Sequence, residues 1–220
     1  MKKGTMSILT GLLLIAAALC FAGYNLWDSH RAGMAANAVL SRLQPQIEQD
    51  AAAGSGVTKY APIVIDNVVV DEVVYPDYVL HPEMEMPTQE IDGVDYIGTI
   101  DLPTLGLCFP VVSDWDYAKL QVSPCRYSGS AYFDDMVICA HNYRDHFSTL
   151  KNLRLDDELT FTDVDGNVFR YRVLEIETLQ PQEVDRMRTG DWDLTLFTCT
   201  VGGRSRVTVR CERMDKNMKS

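Results

Sequence analysis

The sequence predicts an all-β domain that follows an N-terminal transmembrane helix and a helical and extended linker. Residues 4–27 contain no charged residue and no histidine, which indicates a membrane segment. Residues 57–90 are acidic and contain four prolines, a composition typical of a linker. After Asp92 and Gly93 the chain changes to short β-type segments separated by turns, the pattern of an all-β sandwich or barrel.

The apolar run has the length of a membrane-spanning helix. Its 24 residues would extend about 36 Å as a helix, enough to cross a bilayer. Lys2 and Lys3 precede it, so the positive-inside tendency predicts that residues 1–3 are cytoplasmic and that the rest of the chain is extracellular. We therefore expect a single-pass protein of the cell membrane. A cleaved signal peptide is the alternative, although its apolar region usually has only about 7–15 residues.

The segment between the membrane and the β domain is predicted in two parts. Residues 28–56 form a juxtamembrane helix and a joint, with Pro45 expected to kink or end the helix. Apolar residues recur on one side of this helix, namely Ala35, Ala36, Val39, Leu40 and Leu43. Residues 57–85 form an acidic linker arm, and residues 86–220 form the β domain.

Seven β-strands and three short helical turns are predicted in the β domain. The predicted strands are residues 96–101, 107–112, 136–140, 158–163, 167–177, 194–200 and 205–213. Helical turns are expected near residues 116–120, 146–150 and 181–187. The sequence DVDGN at residues 163–167 is interpreted as a hairpin turn rather than a calcium loop, because its glycine comes two positions too early.

The overall charge and the cysteines narrow the classes of partner and cofactor. Acidic residues outnumber basic ones by 31 to 20, which makes nucleic acid an improbable partner. Six cysteines occur, and with Cys20 in the membrane an odd number remains outside, so at least one thiol is free. Because no two cysteines have the short spacing of a zinc site, we expect no metal and no cofactor.

The most informative local geometry surrounds Cys199. The predicted strands 194–200 and 205–213 are joined through Gly202 and Gly203, a pair suited to a two-residue turn. That turn places Cys199 opposite Arg206, with their Cβ atoms about 5 Å apart. A cation beside a thiol lowers the thiol pKa, and the same guanidinium can stabilise negative charge on a carbonyl oxygen. Arg204 is the second candidate for this role.

The same register makes a further prediction about the second strand. Arg206, Thr208 and Arg210 alternate with apolar residues and are expected on the polar side of the strand. Arg210 should lie opposite Thr195.

A nucleophilic cysteine also needs an acid–base partner, and the chain has four histidines. His30 is juxtamembrane, and His81 lies in the linker. His141 follows the predicted strand 136–140, where a rigid element can present it to a site. His146 is interpreted as a residue of a loop or of a helix surface. The spacing of these residues along the chain does not predict that His141 lies close to Cys199.

Three segments resemble the sortase family. The sequence TLFTC at residues 195–199, followed by RVTV at residues 206–209, resembles the sortase signature, in which a TLxTC strand precedes a strand with the active-site arginine. The sequence ICAHN at residues 138–142 resembles the sortase strand that ends in the catalytic histidine. Residues 96–100 and 105–112 resemble the first barrel strands, and the resemblance extends over about residues 86–214.

The resemblance implies a fold and a set of active-site residues. The fold is a sortase-like eight-stranded β-barrel with short helices, so residues 86–220 are the sortase catalytic domain. Cys199 is implied as the nucleophile, His141 as the general acid and base, and Arg206 as the group that stabilises the substrate or the oxyanion. Thr198, just before the nucleophile, is implied to help bind substrate.

The implied activity is that of a cysteine transpeptidase. It cleaves the LPxTG-like sorting signal of a surface protein through a Cys199 thioester and transfers the acyl fragment to an amine of a cell-wall precursor or a pilin. Residues 142–147 and the helix predicted after them resemble class B or a related unclassified sortase. The six-residue link between Cys199 and Arg206, which is shorter than in many sortases, and the lack of an aromatic lid motif in the linker are departures from other members of the family. An extracytoplasmic cysteine hydrolase and a catalytically silent surface-binding module are the alternatives.

Overall fold

A computed structural model describes residues 2–60, 63–65, 68–70 and 73–215. It begins with one helix, α1, at Lys2–Ala53, whose first half is long and apolar enough to cross a membrane and is not buried by other parts of the protein. Pro45 was expected to kink or end this helix. The helix does not end there, because it continues for eight residues beyond Pro45. Leu43 and Ile47, on either side of Pro45, are buried, and this packing offsets the hydrogen bond that proline cannot make.

The second half of α1 packs along the β domain through a stripe of small and branched residues at helical spacing. The buried residues of this stripe are Ala32, Ala36, Val39, Leu43 and Ile47. Arg42 adds an exposed ion pair with Asp92, at 2.6 Å between Nη1 and Oδ2. Helix α1 and the β domain are therefore in direct contact over about four helical turns.

The predicted linker arm contains secondary structure of its own. Its strands are β1 Val57–Tyr60, β2 Ile63–Ile65, β3 Val68–Val70 and β4 Val73–Pro76, and they form the antiparallel pairs β1–β4 and β2–β3. Helix α2 follows at Asp77–Leu80, and its Tyr78 is buried with its ring 4.8 Å from that of Tyr132. The end of the arm is thus fixed to the core of the β domain.

Eight strands form the closed β-barrel that the resemblance implied. A further strand, β5 at Gln89–Ile91, pairs with the first residues of the first barrel strand. The eight are β6 Val94–Leu102, β7 Leu107–Val112, β8 Cys125–Ser128, β9 Met136–Ala140, β10 Glu158–Asp163, β11 Val168–Leu179, β12 Leu194–Cys199 and β13 Arg206–Arg213. Around the barrel their order is β6-β7-β8-β9-β12-β13-β11-β10, and β10 returns to pair with β6.

Closure of the barrel requires a glycine. Gly98 of β6 faces Asp163 of β10, and a Cβ at Gly98, which has φ of 150°, would collide with the Thr162 carbonyl. The two strands approach so closely there that no other residue fits without a shift of the backbone.

Three of the four short helices that follow β5 lie close to the predicted helical turns, and the 3₁₀ helix at Pro103–Leu105 was not predicted. The four are 3₁₀ helices at Pro103–Leu105 and Phe147–Asn152, and α-helices α3 at Tyr117–Leu120 and α4 at Val184–Arg188. The hairpin turn at residues 163–167 is confirmed by a backbone hydrogen bond of 3.1 Å from Gly166 to the Asp163 carbonyl. Strand β8 was not predicted, since its four residues, CRYS, have neither an apolar run nor a clear alternation.

Candidate active site

Strand pairing brings Cys199 between the histidine and the arginine. Strand β12 lies between β9, to which it is parallel, and β13, to which it is antiparallel. Thr198 pairs with Ala140, so Cys199, the last residue of β12, lies beside His141, the first residue after β9, on strands about 5 Å apart. On the other side Cys199 pairs with Arg206. The sequence alone did not predict that His141 lies beside Cys199. The pairing of β9 with β12 in the barrel makes the two residues neighbours.

The predicted pairing of Cys199 with Arg206 is confirmed, but the two-residue turn is wrong. Gly203 donates a backbone hydrogen bond to the Thr200 carbonyl at 2.8 Å, and Thr200 donates one to the Ser205 carbonyl at 2.9 Å. The loop therefore spans residues 201–204 and turns at 201 and 202. Because this wider loop has the same centre as the predicted turn, the strand register below it is unchanged.

The Arg206 guanidinium is held by this loop. Its Nη1 donates hydrogen bonds of 3.1 Å to the carbonyls of both Gly203 and Ser205. Arg206 is half-buried and lines the same pocket as Cys199 and His141, whereas Arg204 is exposed and does not line it. The structure therefore favours Arg206 over Arg204 as the cation of the site.

The three side chains line a pocket of about 210 Å³ with largely apolar walls. One wall is aromatic and consists of Trp115, Tyr117, Tyr127 and Phe197. The other wall is helix α4 and the residues before it, with Pro181, Val184 and Met187 facing the pocket. A pocket with apolar walls and a few convergent polar groups suits an apolar side chain next to a polar backbone.

Cys199 is half-buried, whereas the neighbouring thiols of Cys125 and Cys139 are buried. All six cysteines are free, and Cys139 also lines the pocket. Burial raises the pKa of Cys139 to about 12, and it raises the pKa of its strand neighbour Cys125 as well. Because the thiolate is the reactive form, these thiols are poor nucleophiles, and Cys199 is the better candidate in this pocket.

The imidazole of His141 is in a partly dry environment. Burial lowers the pKa of His141, and the negative charge of Asp28 opposes this shift. The His141 ring also packs against Tyr143, with 4.9 Å between ring centroids. The neutral imidazole is favoured at neutral pH, and this form accepts a proton.

Thr198 is placed differently from the other predicted site residues. It is 2% exposed and does not line the pocket. Its hydroxyl donates a hydrogen bond of 2.8 Å to the Ala140 carbonyl on β9. This bond joins the two strands at the residues that precede Cys199 and His141, which gives Thr198 a bridging position.

Two interpretations of polar residues near the site are wrong about burial. His146 was expected in a loop or on a helix surface; it does lie in the loop before the 3₁₀ helix Phe147–Asn152, but it has no exposed area, because α1 and Phe109 cover it. Thr208 and Arg210 were expected on a polar side, but both are buried; the Arg210 guanidinium lies next to Arg186 and Met187 of α4. Sequence reasoning also missed Asp28 and Tyr143, because no local pattern links a juxtamembrane residue to the loop after β9.

The fold and the pocket define a class of protein. A closed eight-stranded barrel with a cysteine, a histidine and an arginine around one pocket is a fold and site suited to a cysteine-dependent enzyme. The family model for the sortase domain matches residues 100–214, just over half of the chain. The chain belongs to the sortase family, whose members are cysteine transpeptidases.

Solved sortase structures have the same fold. The Clostridium perfringens sortase D5 transpeptidase is 21% identical, with a TM-score of 0.51 over 62% of this chain and 86% of that one. Sortase C1 from Streptococcus agalactiae is 25% identical, with a TM-score of 0.50 over 58% and 72% of the two chains. Sortase C from Clostridium perfringens, solved with the C-terminal cell wall sorting motif, is 22% identical, with a TM-score of 0.50 over 62% and 82%. No curated protein matches the chain significantly.

Proposed function

We propose that this sortase cleaves an LPxTG-like sorting signal and joins the acyl fragment to an amine of a cell-wall precursor or a pilin. The observation that carries the proposal is the convergence of Cys199, His141 and Arg206 on one pocket at the ends of three adjacent strands. The C. perfringens sortase C solved with a sorting motif supports a substrate of the same kind.

The first half of the reaction forms a thioester. His141 takes the proton of the Cys199 thiol, and the thiolate attacks the carbonyl carbon of the threonine before the scissile bond. Arg206 faces the negative charge that develops on the carbonyl oxygen. His141 then returns the proton to the departing glycine amine, so the C–N bond breaks while the C–S bond remains.

The second half of the reaction transfers the acyl group. The acceptor amine attacks the thioester carbonyl, His141 takes the amine proton, and the thiol leaves with that proton. A neutral imidazole serves both halves, and the lowered pKa of His141 supports this assignment. The apolar walls of the pocket suit the leucine and proline of the signal.

Thr198 takes a positioning role in this proposal. Its buried hydroxyl fixes β12 to β9 at the level of the nucleophile and the base, and the bond to Ala140 supports this role better than direct substrate contact. The stretch 142–147 and the 3₁₀ helix at Phe147–Asn152 support assignment to class B or a related unclassified sortase.

The proposed location is the cell membrane, with α1 as a single-pass anchor, a cytoplasmic N-terminus and an extracellular barrel. The length and apolar composition of the first half of α1 support the anchor. Lys2 and Lys3 before the apolar run support the orientation.

The test is a peptide-library assay with the full chain in detergent micelles. Fluorescent sorting peptides are supplied with and without a glycine peptide as the acceptor, and products are identified by mass spectrometry. We expect cleavage between threonine and glycine and a joined product when the amine is present. Cys199→Ala is the control and should abolish both. Hydrolysis alone at saturating amine would indicate a cysteine hydrolase, and cleavage retained in Cys199→Ala would contradict the mechanism.

A further inference from the structure

The loop that carries His141 rests on the first turn of α1 beyond the apolar run. The Asp145 amide donates a hydrogen bond of 3.3 Å to the Ser29 hydroxyl, and His30 Nδ1 lies 3.9 Å from the Asp145 carboxylate. A Cβ added at Gly33 would lie only 2.8 Å from the Cβ of Asp145. The helix and the loop therefore touch where the helix leaves its apolar run.

Two side chains connect this turn of the helix to the His141 ring. The Tyr143 hydroxyl interacts with the Asp28 carboxylate strongly enough to lower the pKa of Asp28 and to raise that of Tyr143. Asp28 also accepts hydrogen bonds of 3.3 and 3.0 Å from Nε and Nη2 of Arg31, which orient the carboxylate. The Tyr143 ring packs against His141 at 4.9 Å between centroids, with 37° between the planes. A continuous series of contacts thus runs from Arg31 to the imidazole.

The ionisation of these groups suits a fixed arrangement. The interaction with Tyr143 is the main cause that lowers the pKa of Asp28, so the carboxylate stays charged. Burial and the interaction with Asp28 raise the pKa of Tyr143 to about 12, so its hydroxyl keeps its proton. The charges of the two groups, and with them the attraction between them, therefore stay the same over the neutral pH range.

We propose that Asp28 is a positioning residue of the active site: through Tyr143 it fixes the ring of His141, and the first extramembrane turn of α1 is part of the catalytic apparatus. This inference deepens the proposed function and rests on the role given there to His141. It assigns the anchor helix a second task besides holding the enzyme at the membrane. The charged and titratable groups that surround the His141 ring and its contacts are Tyr24, Asp28, His30, Arg31, Tyr143, Asp145 and His146.

The experiment compares matched variants of the full chain in detergent micelles. They are Asp28→Asn, Tyr143→Phe, the double variant, and Glu48→Gln, which removes an exposed carboxylate from the same helix. We expect each single variant to lower kcat between about tenfold and a hundredfold, with KM within about twofold, because a misplaced base affects the chemical step more than binding. The double variant should be no slower than the poorer single one, and Glu48→Gln should match the wild type.

A pH profile separates a positioning role from a general loss of structure. Asp28 opposes the effect of burial on His141, so Asp28→Asn should move the acid limb of kcat/KM to lower pH. Tyr143→Phe keeps the ring that packs against His141, and serves as the second variant if Asp28→Asn unfolds. Unchanged kcat in both single variants, or additive losses in the double variant, would overturn the inference about Asp28. The proposed function would still stand in that case, provided that the wild type cleaves the peptide.

A second readout does not depend on the sorting peptide. The rate at which iodoacetamide alkylates Cys199 is followed against pH, with the rate in Cys199→Ala subtracted as background. If the wild type cleaves no sorting peptide, the proposed function fails. The pH profile of Cys199 alkylation then tests the inference about Asp28 by itself. A shift of the profile in Asp28→Asn supports the link to His141, and an unchanged profile contradicts it.

Discussion

The Arg210 guanidinium donates a hydrogen bond of 2.9 Å through Nη1 to the Thr195 hydroxyl, beneath one wall of the pocket. Its other donors reach the Glu177 carboxylate and the carbonyls of Arg186 and Met187. Arg210 is 2% exposed, so one buried cation joins β13, β12 and β11 to the end of helix α4. The position of that pocket wall depends on this residue.

Arg210→Lys is expected to weaken substrate binding without disabling the thiol. Lysine keeps the charge but loses the planar set of donors that reaches two carbonyls of α4. We expect KM for the sorting peptide to rise about fivefold and the free energy of unfolding to fall by about 2 kcal/mol. Steady-state kinetics and urea unfolding measure these effects, and the alkylation rate of Cys199 should stay within twofold of the wild type. Unchanged KM in a folded variant would show that α4 is positioned by other contacts.

Arg206→Lys is expected to lower kcat/KM about a hundredfold. The guanidinium bonds two loop carbonyls and still presents donors to the pocket, and an ammonium group at the end of a flexible chain does not reproduce that geometry. Arg204→Lys is the matched control and should stay within about twofold of the wild type, since Arg204 is exposed. Cleavage of the sorting peptide measures both, and the reverse ranking would contradict the assignment of Arg206.

Thr198→Val is expected to reduce both stability and turnover. Valine keeps the shape but removes the donor to the Ala140 carbonyl, leaving a buried acceptor unpaired at a cost of about 1–2 kcal/mol. Because Ala140 precedes His141, kcat should fall more than KM changes. Thr198→Ser keeps the hydroxyl and should recover most of the lost activity. Equal losses of activity in the serine and valine variants would argue against the bridging role.

Acidification is expected to destabilise the protein through His146. Burial lowers the pKa of this histidine from 6.5 to about 4, so the unfolded state binds the proton more readily. Its contribution to stability is complete above about pH 6.5 and is lost as the pH falls toward 4, by about 3 kcal/mol in all. His146→Phe should flatten this part of the curve of unfolding free energy against pH, since Phe109 and Tyr143 already surround the ring with aromatic side chains. The same slope in wild type and variant would contradict the prediction.

Several features of the site could be predicted because they are local in the chain. The pairs Cys199–Arg206 and Thr195–Arg210 belong to one hairpin, and a single turn sets the register of both. The loop has four residues rather than the predicted two, but both loops are centred between Gly202 and Gly203. The strand pairs are therefore the same for either loop length. The apolar run that begins α1 was equally visible, because hydrophobic length is a property of the segment itself.

Composition and local pattern alone thus determined the long apolar segment, the β-rich domain and the thiol–guanidinium pair. Only the tertiary structure placed His141 beside Cys199, because that neighbour relation comes from parallel pairing of two strands whose bonded residues, Thr198 and Ala140, are 58 positions apart. It also buried Arg210 and His146 and brought α1 against the loop after β9. Neither strand's sequence specifies which strand will lie next to it, since that choice depends on the packing and closure of the whole barrel.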